Sequence, residues 1–254
     1  MVFSAPKSFF RVLSLVERAA AYAQGKGYGA ATTEREIDLL LGLLTHPPRL
    51  AIDIGGNIGH YAAELRRRKP ELEIHVFEPS AENIARLTAR FEVDGLIKLV
   101  PCAVSDDVGS ATLFSDKAGS GLGSLTKRRL DHFNIAFDVA ETVNTIRFED
   151  YWRDQLQSRQ IDLAKIDVEG HELAVLKGFG NALNATAIFQ FEFGGCNIDT
   201  RTYFQDFWYL FEQHQFALYR ITPLGAERVA QYRESDEFFS TTNYLAVNPR
   251  FAGS

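Results

Sequence analysis

Residues 51–61, AIDIGGNIGHY, limit the fold of this chain more than any other stretch. Residues 51–54 form an apolar run that reads as a buried strand. The run passes directly into Gly55, Gly56 and Gly59 and then into a helix-like segment. Glycine tolerates positive φ and lets a ligand approach bare N–H groups at the start of a helix. A strand, a glycine turn and a helix in this order predict a ligand held at a strand end.

The pattern continues along the chain. RLAIDI, EIHVFE, IKLVPCAV, IDLAKID and AIFQFEF read as strands, with helices between most of them, and FALYRIT and TNYLAVN close the chain as two more. Pro70 ends the first helix after the glycine turn. Ser80 is placed to cap the next helix, which presents Ile84, Leu87 and Phe91 on one face. Pro101 kinks the third strand or marks it as an edge. Near-continuous apolar strands alternating with helices predict an α/β fold, a mostly parallel sheet covered on both faces, with ligands at the carboxyl ends of its strands. Residues 115–141, rich in glycine and serine and then in basic residues, break the rhythm and predict a loop over the site. The division is a helical segment over 1–48 and one domain over 49–250.

Composition excludes several classes. The net charge is −6 over 254 residues, which argues against a broad nucleic-acid surface because such surfaces rest on basic groups displacing counterions. The basic run Arg66 to Lys69 reads as a solvated helix end. Two cysteines, Cys102 and Cys196, build neither a disulfide framework nor a four-cysteine zinc site and suit a reducing, cytoplasmic setting. No apolar run approaches the ~20 residues of a membrane span. The N-terminal apolar cluster Phe9, Phe10, Val12, Leu13 and Val16 reads as an amphipathic helix that packs on the domain or joins two copies of the chain.

The dinucleotide fingerprint G-x-G-x-x-G fails here: Asn57 and His60 stand where glycines would follow Gly55, and Ile58 and Tyr61 where they would follow Gly56. A nicotinamide oxidoreductase is therefore the runner-up. The residues spell D-x-G-x-N-x-G, with Asp53, Gly55, Asn57 and Gly59, which resembles the first motif of class I S-adenosylmethionine-dependent methyltransferases. Glu78, ending the next strand in HVFEPS, is placed to accept both ribose hydroxyls of an adenosine. Ser105 or Asp106, in CAVSD, would meet the adenine edge or simply form a turn. With KIDVEGHE at 165–172 and FQFEFGG at 189–195, the ordered set of motifs over residues 50–195 resembles the FkbM family of methyltransferases. That resemblance implies a Rossmann-like sheet of seven strands with the last antiparallel, S-adenosylmethionine as cofactor, and O-methylation of a sugar, glycan precursor or polyketide hydroxyl.

A sulfonium methyl is already activated, so the protein must align an acceptor and help its proton leave. Asp167, His171 and Glu192 gather at strand ends and are the catalytic candidates. If their strands are neighbours, Asp167 and Glu192 come close enough to share a hard divalent ion such as magnesium. The metal-free alternative has His171 take the proton while Asp167 orients the acceptor or the methionine amine. The plainer account has Glu169 and Glu172 favour the start of a helix and His171 pack in the core. Asn197 reads equally as pocket or turn, and the aromatic face from Tyr203 to Phe211 as core. Amino-group methylation ranks lower, because DVEG stands where an Asn/Asp-Pro-Pro-aromatic motif would be. A methyltransferase fold that binds without turnover is the non-enzymatic alternative.

Overall fold

The computed structural model describes residues 7–29 and 32–251; residues 1–6 and 30–31 of the N-terminal segment lie outside the described residues. In chain order the elements are α1 (Lys7–Ala23), α2 (Thr33–Leu43), β1 (Leu50–Ile54), α3 (His60–Arg68), β2 (Glu73–Phe77), α4 (Ala81–Phe91), β3 (Ile97–Val100), β4 (Ala103–Val104), β5 (Gly109–Ser115) and β6 (Val139–Ile146). They continue with α5 (Phe148–Asp154), β7 (Ile161–Ile166), α6 (Glu172–Gly178), β8 (Thr186–Phe193), α7 (Cys196–Thr200), α8 (Phe204–Gln213), β9 (Ala217–Thr222), β10 (Gly225–Arg228) and β11 (Thr242–Val247).

The main sheet has the order β10-β9-β11-β8-β7-β1-β2-β3. Strands β3, β2, β1, β7 and β8 run parallel, and β11 inserts antiparallel between β8 and β9. This is a Rossmann-like sheet, as the resemblance implies. The chain leaves β1 toward β2 and β3 and returns to β7 on the other side of β1, so the order reverses there and opens a crevice at the strand ends.

Two strand expectations need correction. The sheet has eight strands rather than seven, because the turn at Pro223 and Leu224 sends the chain back along β9 as the edge strand β10. IKLVPCAV is two strands: Pro101 has no N–H to give the ladder, β3 stops at Val100, and β4 joins a separate three-stranded sheet in the order β4-β6-β5. The 115–141 segment is likewise partly strand. Ser115 pairs with Val139 at the tip of the antiparallel β5–β6 ladder, so the connection itself is 116–138.

The core lies on both faces of the sheet. Phe189, Phe191 and Phe193 alternate along β8 and meet Phe204, Phe207 and Phe211 of α8, with the Phe191 and Phe207 rings stacked at 5.1 Å. The aromatic face of α8 is therefore core, while Tyr203 at its start is half exposed. On the other face, α2 and α3 pack through Ile37, Leu40, Ala62 and Leu65.

The expectation that the first helix packs on the domain fails for α1. Phe9, Phe10, Val12, Leu13, Leu15 and Val16 are all exposed, and the N-terminal segment packs on the domain through Tyr28 and α2 instead. The basic run is not simply solvated either, since Arg66 pairs with Asp94 at 2.7 Å and Arg68 with Asp38 at 2.7 Å. No described helix is long and apolar enough to cross a membrane.

Candidate active site

A cleft opens at the carboxyl ends of β1, β2 and β7. Gly55, Asn57, Glu78, Asp167, Glu169 and His171 line it, an apolar wall of Phe77, Cys102, Val104, Leu113 and Leu125 faces them, and residues 118–123 of the β5–β6 connection cover it.

The glycines serve the cleft by letting its walls close up. A Cβ at Gly55, where φ is +83°, would overlap the carbonyl oxygen of Asp167; one at Gly56 would overlap Val76; and one at Gly59 would meet Leu87 and Phe91 of α4. Gly55 thus lets the end of β1 touch the end of β7, where the Asp167 N–H donates to Ile54 O at 3.0 Å. Gly59 seats α3 on α4 and lies outside the lining.

Glu78 is buried at the end of β2. It accepts the N–H groups of Asn57 at 2.8 Å and Ser80 at 3.0 Å, and the Asn83 amide at 3.4 Å. Burial raises its pKa against these hydrogen bonds. A carboxylate has about four acceptor positions, so its cleft edge still takes a donor. Ser80 occupies the N-cap position of α4, but its side chain does not cap; the carboxylates of Glu78 and Glu141 take the N–H groups of Ser80 and Ala81 instead. Ser105 and Asp106 lie outside the lining. The Ser105 hydroxyl turns to Asp106 at 3.2 Å, and the cleft wall at that point is Cys102 to Val104.

Asp53 lies beneath the glycine turn, 1% exposed, with neither carboxylate oxygen hydrogen-bonded. Its nearest cation is Lys165 Nζ, 3.8 Å away, and burial raises its pKa. Lys165 Nζ also donates to Asp167 at 3.0 Å and sits 5.1 Å from the centre of the Tyr61 ring. Its pKa is raised: burial opposes the charge, and Asp167 and Asp53 more than restore it. On the next strand Gln190 receives the Tyr61 hydroxyl at 2.9 Å and gives its amide to Glu36 of α2 at 2.7 Å. Glu36, Tyr61 and Lys165 carry no site role in the sequence reading. The available signal was a lysine inside an apolar strand, two residues before Asp167 and therefore on its face.

The structure does bring Asp167 and Glu192 to neighbouring strand ends, just beyond the Ile166 and Phe191 pair of β7 and β8. Burial, then Asp167, Glu169 and Glu172, push the Glu192 carboxyl well above its ordinary range. Among the described residues no group of three or more His, Cys, Asp or Glu is arranged to hold a metal. Glu169 pairs with Arg128 from the β5–β6 connection, and the Ser124 hydroxyl donates to its carbonyl at 2.8 Å, so the cover is tied to the turn after β7. His171 faces the cleft from the start of α6, and burial lowers its pKa against the pull of Asp106. Asn197 lies in α7 outside the cleft lining, its side-chain Oδ1 accepting the Gly194 N–H at 2.8 Å.

Glu172, fully buried, accepts the N–H groups of Val168 and Gly170 at 3.0 and 3.1 Å and so shapes the turn at the start of α6. Burial raises its carboxyl to about 7. A raised folded-state pKa gives stability that is present at low pH and lost as pH rises through that value. Glu172→Gln keeps the accepting oxygen and removes the charge. It should raise stability at pH 8 by roughly 3 kcal/mol relative to the wild type and by much less at pH 5, checked by denaturant melts at both.

An acid at the end of β2 and an apolar wall beside a left-handed glycine turn suit a nucleoside. Sequence comparison decides the family: the Methyltransferase FkbM domain matches residues 53–243. The chain belongs to the FkbM methyltransferase family. It is an enzyme of that type, and membership implies S-adenosylmethionine as the methyl donor. The 2-O-methyltransferase NoeI of Sinorhizobium fredii is 28% identical to this FkbM methyltransferase over 194 residues, 72% of this chain and 78% of that one. Methyltransferase 1 of Beauveria bassiana is 24% identical over 145 residues, 50% of this chain and 57% of its own. The solved FkbM methyltransferase from Methylobacillus flagellatus KT aligns at a TM-score of 0.48 with 16% identity, over 80% of this chain and 45% of its own.

Proposed function

We propose that this FkbM enzyme methylates a hydroxyl oxygen of a sugar or glycan precursor, or of a polyketide-type product, with His171 as general base. The observation that carries the reading is that His171, held neutral by burial, and Asp167 line the same cleft as the Asn57 and Glu78 pair. When bound, S-adenosylmethionine supplies a methyl group activated by its sulfonium, at the cost of no further cofactor chemistry. The chain's own residues bind and align. Glu78 accepts ribose hydroxyls, the wall from Cys102 to Val104 covers the adenine, and Asp167 orients the acceptor or the methionine amine. His171 takes the hydroxyl proton as the C–S bond breaks and the new C–O bond forms, and covering residues 118–123 exclude water. The 2-O-methyltransferase named among the relatives supports oxygen as the acceptor atom.

The test is transfer of a labelled methyl group from S-adenosylmethionine to a panel of reducing sugars, nucleotide-linked sugars and oligosaccharides, with the methylated atom located by NMR. An O-methyl product is expected, and an N-methyl product from an amine-bearing panel would refute the assignment.

The exposed apolar side of α1 is the proposed contact between two copies of the chain. Sedimentation of the full chain should show an oligomer that Leu13→Asp dissociates; a wild-type monomer at every concentration would refute the contact.

A further inference from the structure

The buried Asp53 and the partly exposed Asp167 at the switch between β1 and β7 already have a cation. Lys165 stands directly opposite Asp53 in the β1–β7 register and two residues before Asp167, so its side chain rises on the same face as both acids. Its ammonium is 3.0 Å from Asp167 and 3.8 Å from Asp53, its side chain is 13% exposed, and the Tyr61 ring and the Gln190 and Glu36 network close in around it. We propose that Lys165 is the resident cation of this site, a positioning residue that fixes Asp53 and Asp167 and fills the place a divalent ion would otherwise take.

The expectation that Asp167 and Glu192 share magnesium does not survive this geometry. Magnesium asks for near-octahedral oxygen coordination. One Asp167 oxygen is engaged by the ammonium, and a dication beside a buried ammonium is repelled in a medium that screens poorly. An ammonium on a short tether instead holds both carboxylates at fixed places without an ion to recruit, while its high pKa keeps it charged and unable to act as a base.

Calorimetric titration of the full chain with magnesium chloride alone tests the proposal. The wild type and Lys165→Arg, which keeps the charge, should give no saturable magnesium heat, and a chelator should change adenosylhomocysteine affinity by less than ~2-fold, well under the tenfold that 1.4 kcal/mol represents. Lys165→Met vacates the place and should gain saturable magnesium binding that Lys165→Met combined with Asp167→Asn loses again. A purely structural lysine would produce no such gain. Saturable magnesium binding by the wild type, abolished by Asp167→Asn, would overturn the proposal, as would a folded Lys165→Met chain that binds no magnesium. If Lys165→Met does not fold, the wild-type and Lys165→Arg titrations decide alone. The inference rests on the methyltransferase reading of the cleft but fails separately from it: loss of adenosylhomocysteine binding sinks that reading, and wild-type magnesium binding sinks this one.

Discussion

Gly55→Ala should abolish cofactor binding while leaving most of the core intact. An alanine at φ +83° carries the left-handed penalty of about 1–2 kcal/mol. Its Cβ must also displace the Asp167 carbonyl, which belongs to backbone rather than to a flexible side chain. The only relief is to separate the ends of β1 and β7, and that separation moves Asp167, Asn57 and the glycine turn together. With every 1.4 kcal/mol worth tenfold, adenosylhomocysteine affinity should fall on the order of 100-fold or more. Gly42→Ala is the control. Its Cβ meets nothing, it lies near the end of α2, and it should bind normally and gain about 0.5–1 kcal/mol of stability. Calorimetry and denaturant melts on the two variants separate the effects, and a Gly55→Ala chain that binds like the wild type would show that the turn does not shape the cleft.

His171→Ala should lower kcat by ~10²–10⁴-fold with little change in cofactor affinity, the range expected for removing a general base. The pH profile of the wild type gives an independent check. Burial depresses the His171 pKa, so the imidazole stays neutral below the ordinary histidine value of about 6.5, and the acid limb of the rate must fall on that lower side. The same shift makes stability fall with acidification, because the unfolded chain takes up the proton first. A variant within a few-fold of the wild type, or an acid limb above the ordinary value, would move the proton to Asp167 or Glu192.

What the sequence made legible was local. The apolar runs of β1, β2, β7 and β8 and the glycine turn follow from periodicity and backbone freedom, and Glu78 from its place at a strand end. What was missed depends on partners distant in the chain. Lys165 reads as an ordinary lysine until β1 brings Asp53 opposite it. Glu36 reads as a surface acid of a polar helix, yet Gln190 and Asn243, more than 150 residues away, take its carboxylate inside. Pro101 reads as a kink or the mark of an edge, and β3 is indeed an edge strand of the main sheet, but only the presence of β6 as a second partner shows Pro101 to be a break between two sheets. The glycines read as room for a ligand, whereas the room at Gly55, Gly56 and Gly59 is filled by the protein itself.

The most direct test of the central claim is calorimetric titration of the cofactor-stripped chain with S-adenosylhomocysteine and, separately, with NAD, repeated on Glu78→Gln. The cleft as described predicts saturable binding of adenosylhomocysteine, no binding of NAD, and at least tenfold weaker binding when Glu78 loses its charge. Failure of the folded chain to bind adenosylhomocysteine, or binding indifferent to Glu78, would contradict it.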